Sequence, residues 1–196
     1  MANAPFGRLG ESRQNILMPL YSLGDLTPVI HETSYVHPDA VIIGNVRLAP
    51  YSSVWPAAVL RGDRGMITVG ASTSIQDGSV IHCTASADTY VGANCVVGHN
   101  SHLEGCRIED NCMVGSSSTV LVGAVIGPWS LVAAGALVPP GMEVPAHARA
   151  MGVPARLYLD AVQEGDFDAS VETYVENASW YRDALTRIET QIESQT

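Results

Sequence analysis

The hydrophobic positions of this chain recur at a step of six. Val91, Val97 and Leu103 keep that step, and after one deletion Ile108, Val114, Val120, Ile126, Val132 and Val138 keep it again. Four places after each stands a small residue: Cys95, Ser101, Cys112, Ser118, Ala124, Ser130 and Ala136, with Arg107 the exception. A step of six matches neither the 3.6 of a helix nor the alternation of a flat strand. It predicts strands that turn a corner in every repeat, with the aliphatic residue pointing into a coil and the small one fitting the corner. The same pattern starts upstream at Val36, Ile42, Leu48, Val54 and Leu60. Extra residues at 64–66 precede Val69, Ile75 and Ile81, and others at 85–88 precede Val91. Insertions between faithful repeats read as corner loops. Beyond Val138 the pattern gives way to a turn-rich run over 139–154, and hexad counting gives between five and six coils.

The flanks differ. Residues 1–15 are polar with Gly and Pro, which predicts a mobile tail. Leu17, Leu20, Leu23 and Leu26 suit a segment covering the open end of a core, so a capped β-coil domain is expected over 16–156. Residues 157–196 read as a linker and a packing helix. Asp168 is the expected N-cap, and Val171, Tyr174, Val175, Ala178, Tyr181, Leu185, Ile188 and Ile192 form one apolar stripe.

Composition narrows the function. Hydrophobic residues make up 46% of the chain and aromatics only 6%, which suits a narrow core of Val, Ile and Leu. The net charge of −10 argues against nucleic acid, whose phosphates demand a basic face. No apolar run is long enough for a signal peptide or a membrane span, so no membrane partner is expected and the cytoplasm is the expected location. The cysteines lack C-x-x-C spacing, and Cys95 and Cys112 fill small-residue slots, so they read as buried thiols.

Phase locates the chemistry. If three hexads close a coil, Leu60, Ile81 and Leu103 are equivalent in consecutive coils, and the residues after them, Arg61, His82 and Glu104, form an outward column. Ile43 and Leu121 flank it at the same phase. On the next face Asp77 stacks on His99, with Gln76 and Gly98 sharing the neighbouring outward slot. His82 and His99 therefore lie on different faces and converge only between copies. A polar centre in an apolar stripe is the pattern of a subunit interface containing a site, and three prisms around a threefold axis make three such sites.

The segments Arg61-Gly62-Asp63, residues 74–82 (SIQDGSVIH), Val97-Gly98-His99 and Leu103-Glu104-Gly105-Cys106 resemble the ordered motifs of gamma-class carbonic anhydrases. Residues 151–156 (MGVPAR) resemble the segment by which those proteins leave their β-helix. The resemblance implies an all-β left-handed parallel β-helix with a C-terminal α-helix, the handedness being an exception to the usual right-handed crossover. It implies a homotrimer with zinc, or iron, at each interface. The ligands would be His82 and Glu104 from one subunit and His99 from its neighbour. Arg61, Asp63 and Asp77 would form an interface network, Gln76 would lie near the metal's water, and Tyr181 would line the pocket. The implied activity is reversible hydration of CO2 to bicarbonate.

One position departs from the family. Glu104 stands where a third histidine is usual. Two histidines and a glutamate are an accepted catalytic zinc set and also suit Fe(II). An anionic ligand lowers the net charge at the metal and raises the pKa of its water, which predicts weaker activity or a different small carbonyl substrate. His102, two residues from Glu104, is a further candidate ligand. Arg64 stands where some members carry an acidic residue after the Arg-Gly-Asp motif, and the loop over 83–90 offers only Asp88, so a proton relay through those places is not expected. The competing readings are a metal-poor scaffold or binding subunit, in which Glu104 pairs with Arg61, and a hexapeptide acyltransferase.

Overall fold

The computed structural model describes residues 19–188, so the tail expected over 1–15 lies outside the described residues, as does Ile192. The chain winds into a parallel β-solenoid of triangular section, a left-handed β-helix of hexapeptide type, followed by one helix. On one face residues 41–44, 59–62, 80–82, 102–104, 119–120 and 137–138 stack in parallel. On a second face residues 46–48, 67–69, 89–91, 107–108, 125–126 and 143–144 do the same. The third face is an eight-stranded sheet running from Tyr35–Val36 to Arg149–Met151 and closed by the antiparallel strand Arg156–Tyr158. That last strand crosses the boundary expected at 156.

Every aliphatic residue of the six-step series from Val36 to Val138 is buried, most of them completely. The small slots are equally closed, from Cys95 and Cys112 to Ser130 and Ala136. Their size has a second use: Ser101 Oγ donates to the Gly98 carbonyl and Ser118 Oγ to the Gly115 carbonyl, each at 2.7 Å, satisfying corner carbonyls that the parallel ladder leaves free. The exception at Arg107 is resolved by the deletion. Cys106 fills the slot and Arg107 points out over the Tyr90 ring, 4.2 Å from its centroid.

Two expectations are corrected. The coils do not stop at Val138: Val144 and Ala150 continue the step, buried, on strands Glu143–Val144 and Arg149–Met151. At the other end the capping segment is itself in register, with Leu20–Tyr21 on Ile42–Ile43 and Val29–Ile30 on Arg47–Leu48. Each face therefore carries more rungs than five or six. The helix spans Asp168–Ala184, and its cap position is Phe167, with no side-chain capping bond, while Asp168 sits in the first turn. A buried Phe167 anchors that end by packing instead of by hydrogen bonding. Ile188, beyond the helix, is exposed and does not join the stripe.

The helix lies on the third face over residues 35–36, 53–54 and 74–75. An aromatic cluster joins the two: Trp55 meets Tyr181 at 5.1 Å and Tyr174 at 5.6 Å between centroids, and Tyr35 meets Trp55 at 5.4 Å. Trp55 Nε1 donates to Ser53 Oγ and Ser74 Oγ, so its one polar atom is satisfied while the ring is buried. Beyond the helix the third face is left as a strip of Gly98, Gly115 and Ala133 beside Met113 and Leu131.

Candidate metal centre

The long strands Val41–Leu48 and Val59–Val69 run around a corner without interruption, and this places Asp63 beside His82. A Cβ on Gly62 would meet the Asn45 carbonyl oxygen at 2.5 Å, so the Arg61-Gly62-Asp63 turn accepts only glycine at its centre. The expected column is present: Arg61 pairs with His82, and His82 with Glu104, with Ile43 next in line. His82 Nδ1 lies 3.0 Å from Glu104 Oε1, and His82 Nε2 lies 3.1 Å from Asp63 Oδ1. Arg61 donates to the other oxygen of Asp63. His102 Nε2 is 3.7 Å from Glu104 Oε2.

These contacts set the charges. Partial burial works to raise the Asp63 carboxyl, but the hydrogen bonds from His82 and Arg61 outweigh it and hold the group below the usual carboxylate range. Glu104 is held low chiefly by its hydrogen bond with His82, with the charges of His82 and His102 adding to it. Both carboxylates are therefore ionised at neutral pH.

Sequence reasoning did not single out Thr89, which fastens the same site from behind. Its buried hydroxyl donates to the His82 carbonyl and accepts from Gly105 N–H at 2.8 Å. The signal was present as a polar residue in an inward slot, two places before Val91. Asp88 is tied up elsewhere, accepting from Met66 N–H at 2.7 Å and so holding the two corner insertions together.

The second column lies on the third face. His99 Nδ1 is 2.9 Å from Asp77 Oδ2, and both side chains are 47% exposed. Gln76 is buried between the rungs of Trp55 and Gly98. Asp77 also acts on the helix: burial, and then the Asp77 carboxylate, raise the Tyr174 phenol above its ordinary range. Tyr181 meets Trp55 edge to face, one rung from Gln76.

The structure thus brings together Arg61, Asp63, His82 and Glu104 on one face, and Gln76, Asp77 and His99 on another. Among the described residues no group of three or more His, Cys, Asp or Glu in one chain could hold a metal ion. Two concavities along the helix, one lined by Thr33, Tyr51 and Arg182 and the other by Ser72, Asn94 and Glu172, contain none of these residues. The donor types nevertheless fit a metal: two imidazoles and a carboxylate are an accepted zinc set, and His82 and Glu104 stand side by side on adjacent coils.

Comparison with known proteins gives the family. The family described as bacterial transferase hexapeptide (six repeats) matches residues 88–122. Carnitine operon protein CaiE of Escherichia coli K12 is 42% identical over 139 residues, covering 71% of each chain. Gamma carbonic anhydrase 1, mitochondrial, of Arabidopsis thaliana is 37% identical over 159 residues, 78% of this chain and 57% of that one. Among solved structures, a Bacillus cereus protein provisionally called an acetyltransferase superposes with a TM-score of 0.82 at 28% identity, covering 85% of this chain and 98% of that one. A hexapeptide transferase family protein from Anaplasma phagocytophilum gives 0.78 at 31%, covering 83% and 97%. No helix among the described residues is long and apolar enough to cross a membrane. The chain belongs to the hexapeptide-repeat left-handed β-helix family, among its gamma carbonic anhydrase-like members.

Proposed function

We propose that the protein is a gamma carbonic anhydrase-like hydratase that works as a homotrimer, with a metal held by His82 and Glu104 of one subunit and His99 of the next. The observation that carries this reading is the division of donors between two faces of one prism, neither of which completes a site. Around His82 stand Ile43, Val59, Leu121 and the exposed Val80, while the half-buried small residues Gly115 and Ala133 occupy the coils that follow His99 on the third face. Seating the first surface on the second of another copy is a heterologous contact, which closes into a ring when the rotation allows.

Zinc or iron in this position supplies a Lewis acid and lowers the pKa of water. The chain's own residues do the rest. Arg61 and Asp63 hold His82, and Asp77 holds His99. Gln76, one residue before the Asp77 that pairs with His99, would orient a small polar reactant, and the edge-to-face Trp55–Tyr181 pair packs the neighbouring rung. Glu104 brings a negative charge where an imidazole is usual, which weakens the activation of water. That charge favours a small carbonyl compound as substrate beside CO2. Stopped-flow CO2 hydration on metal-loaded protein, with a panel of small carbonyl compounds, tests this. A blank rate throughout overturns it.

A second reading has its own observation. Both ring nitrogens of His82 already face carboxylates of the same chain, so the column is charge-balanced without a metal. A metal-poor scaffold or binding subunit would show no bound metal and no change in melting temperature on adding zinc. The structural likeness to a protein provisionally called an acetyltransferase supplies a third reading, a hexapeptide acyltransferase, tested by saturable binding of acetyl-CoA.

A further inference from the structure

His82 presents its two ring nitrogens to two carboxylates with different surroundings. Nε2 faces Asp63 Oδ1 at 3.1 Å, and Nδ1 faces Glu104 Oε1 at 3.0 Å. The opposite ring orientation would set carbons against both carboxylates, so these two contacts fix the ring. We infer that Asp63 is the positioning residue of the metal site, taking the Nε2–H of His82 so that Nδ1 is the nitrogen presented to the metal beside Glu104. The inference rests on the metal site proposed above.

Three observations separate the two carboxylates. Asp63 is saturated: its second oxygen is bound by Arg61, and a carboxylate already neutralised by a guanidinium is a good acceptor and a poor metal ligand. Asp63 is also held by the backbone, since the Gly62 turn admits no side chain. Glu104, by contrast, stands in the strand directly opposite His82, its side chain 29% exposed on the surface where a second copy would seat. Its second oxygen has only His102, at 3.7 Å. Asp63 is therefore built as an orienting partner and Glu104 as a ligand. A histidine ligand whose other N–H is given to a carboxylate has its tautomer and orientation set, and its basicity raised. Thr89 holds the main chain of His82 by donating to its carbonyl, and the two carboxylate contacts hold the ring.

The test uses the full chain with uniformly 15N-labelled histidine, loaded with zinc, and His82→Gln to assign the His82 signals. The expected spectrum shows a metal-bound Nδ1 and a protonated Nε2 on His82. Zinc affinity is measured in parallel by competition with a chelating dye, for wild type and Asp63→Asn. The variant is expected to bind about 10–100-fold more weakly while keeping the wild-type mass in light scattering. If Asp63→Asn does not assemble, the wild-type spectrum alone decides which nitrogen is metallated. Zinc bound through Nε2, or an assembled variant of unchanged affinity, overturns the inference and leaves the metal site standing. A wild-type protein that binds no zinc overturns both.

Discussion

His82 and Glu104 face each other on adjacent coils, Nδ1 to Oε1 at 3.0 Å, while His99, the remaining candidate ligand, lies on a different face of the same prism. In the proposed trimer the pair is half of a site. Its chemistry follows from which residue occupies position 104, and its existence follows from a second copy.

Position 104 can be returned to the residue usual in the family. Glu104→His removes one negative charge from the ligand set, leaving more of the cation's charge to act on water. The variant is expected to keep zinc and to hydrate CO2 faster than wild type near pH 7. The midpoint of its pH–rate profile should fall by about one to two units. Stopped-flow rates across pH 6–9 read both. Equal rates for the two proteins would mean that Glu104 does not limit the chemistry.

The turn behind His82 is predicted to be intolerant. In Gly62→Ala the new methyl must displace the Asn45 backbone, because the oxygen is 2.5 Å away and the carbonyl carbon 2.8 Å. Overpacking of this kind costs about 1–3 kcal/mol. Urea unfolding should show that loss, and metal content should fall with it as Asp63 shifts. A variant of wild-type stability and metal content would show that the corner yields.

The sequence made the core legible because every inward residue obeys one step, and corner geometry turns that step directly into burial. It misled at both ends. Val144 and Ala150 keep the period, but Pro139 and Pro140 and a mere alanine at 150 hide it. The outward columns were also legible, since phase alone stacks Arg61, His82 and Glu104. The Asp63–His82 contact was not. Asp63 adjoins an insertion, so its place depends on how two long strands turn a corner and not on the repeat. Tyr181 was assigned to the pocket by resemblance, and its packing on Trp55, whose indole is held by two serines on different coils, was not legible in the sequence.

Tyr35 carries a pH prediction. Its hydroxyl is buried with no hydrogen-bond partner among the described residues, and burial, with help from Tyr181, pushes the phenol up to about 12. An unfolded tyrosine ionises near about 10. Between those values the folded chain holds a proton that the unfolded chain has lost, so stability falls as pH rises from about 10 through about 12. Tyr35→Phe should flatten that decline. At pH 7 it should leave stability unchanged or raise it by about 1 kcal/mol, since an unsatisfied hydroxyl is removed and the ring packing stays. Chemical denaturation at pH 7 and pH 11 measures both. A clear loss at pH 7 would show that the hydroxyl has a partner, such as a buried water or a second subunit.

The most direct test of the central claim is the metal content per subunit, by mass spectrometry, of wild type and His82→Ala purified without chelator. The shared site predicts about one zinc or iron per subunit in wild type and loss of it in the variant. Little metal in either protein would contradict the hydratase and move the function to binding or scaffolding.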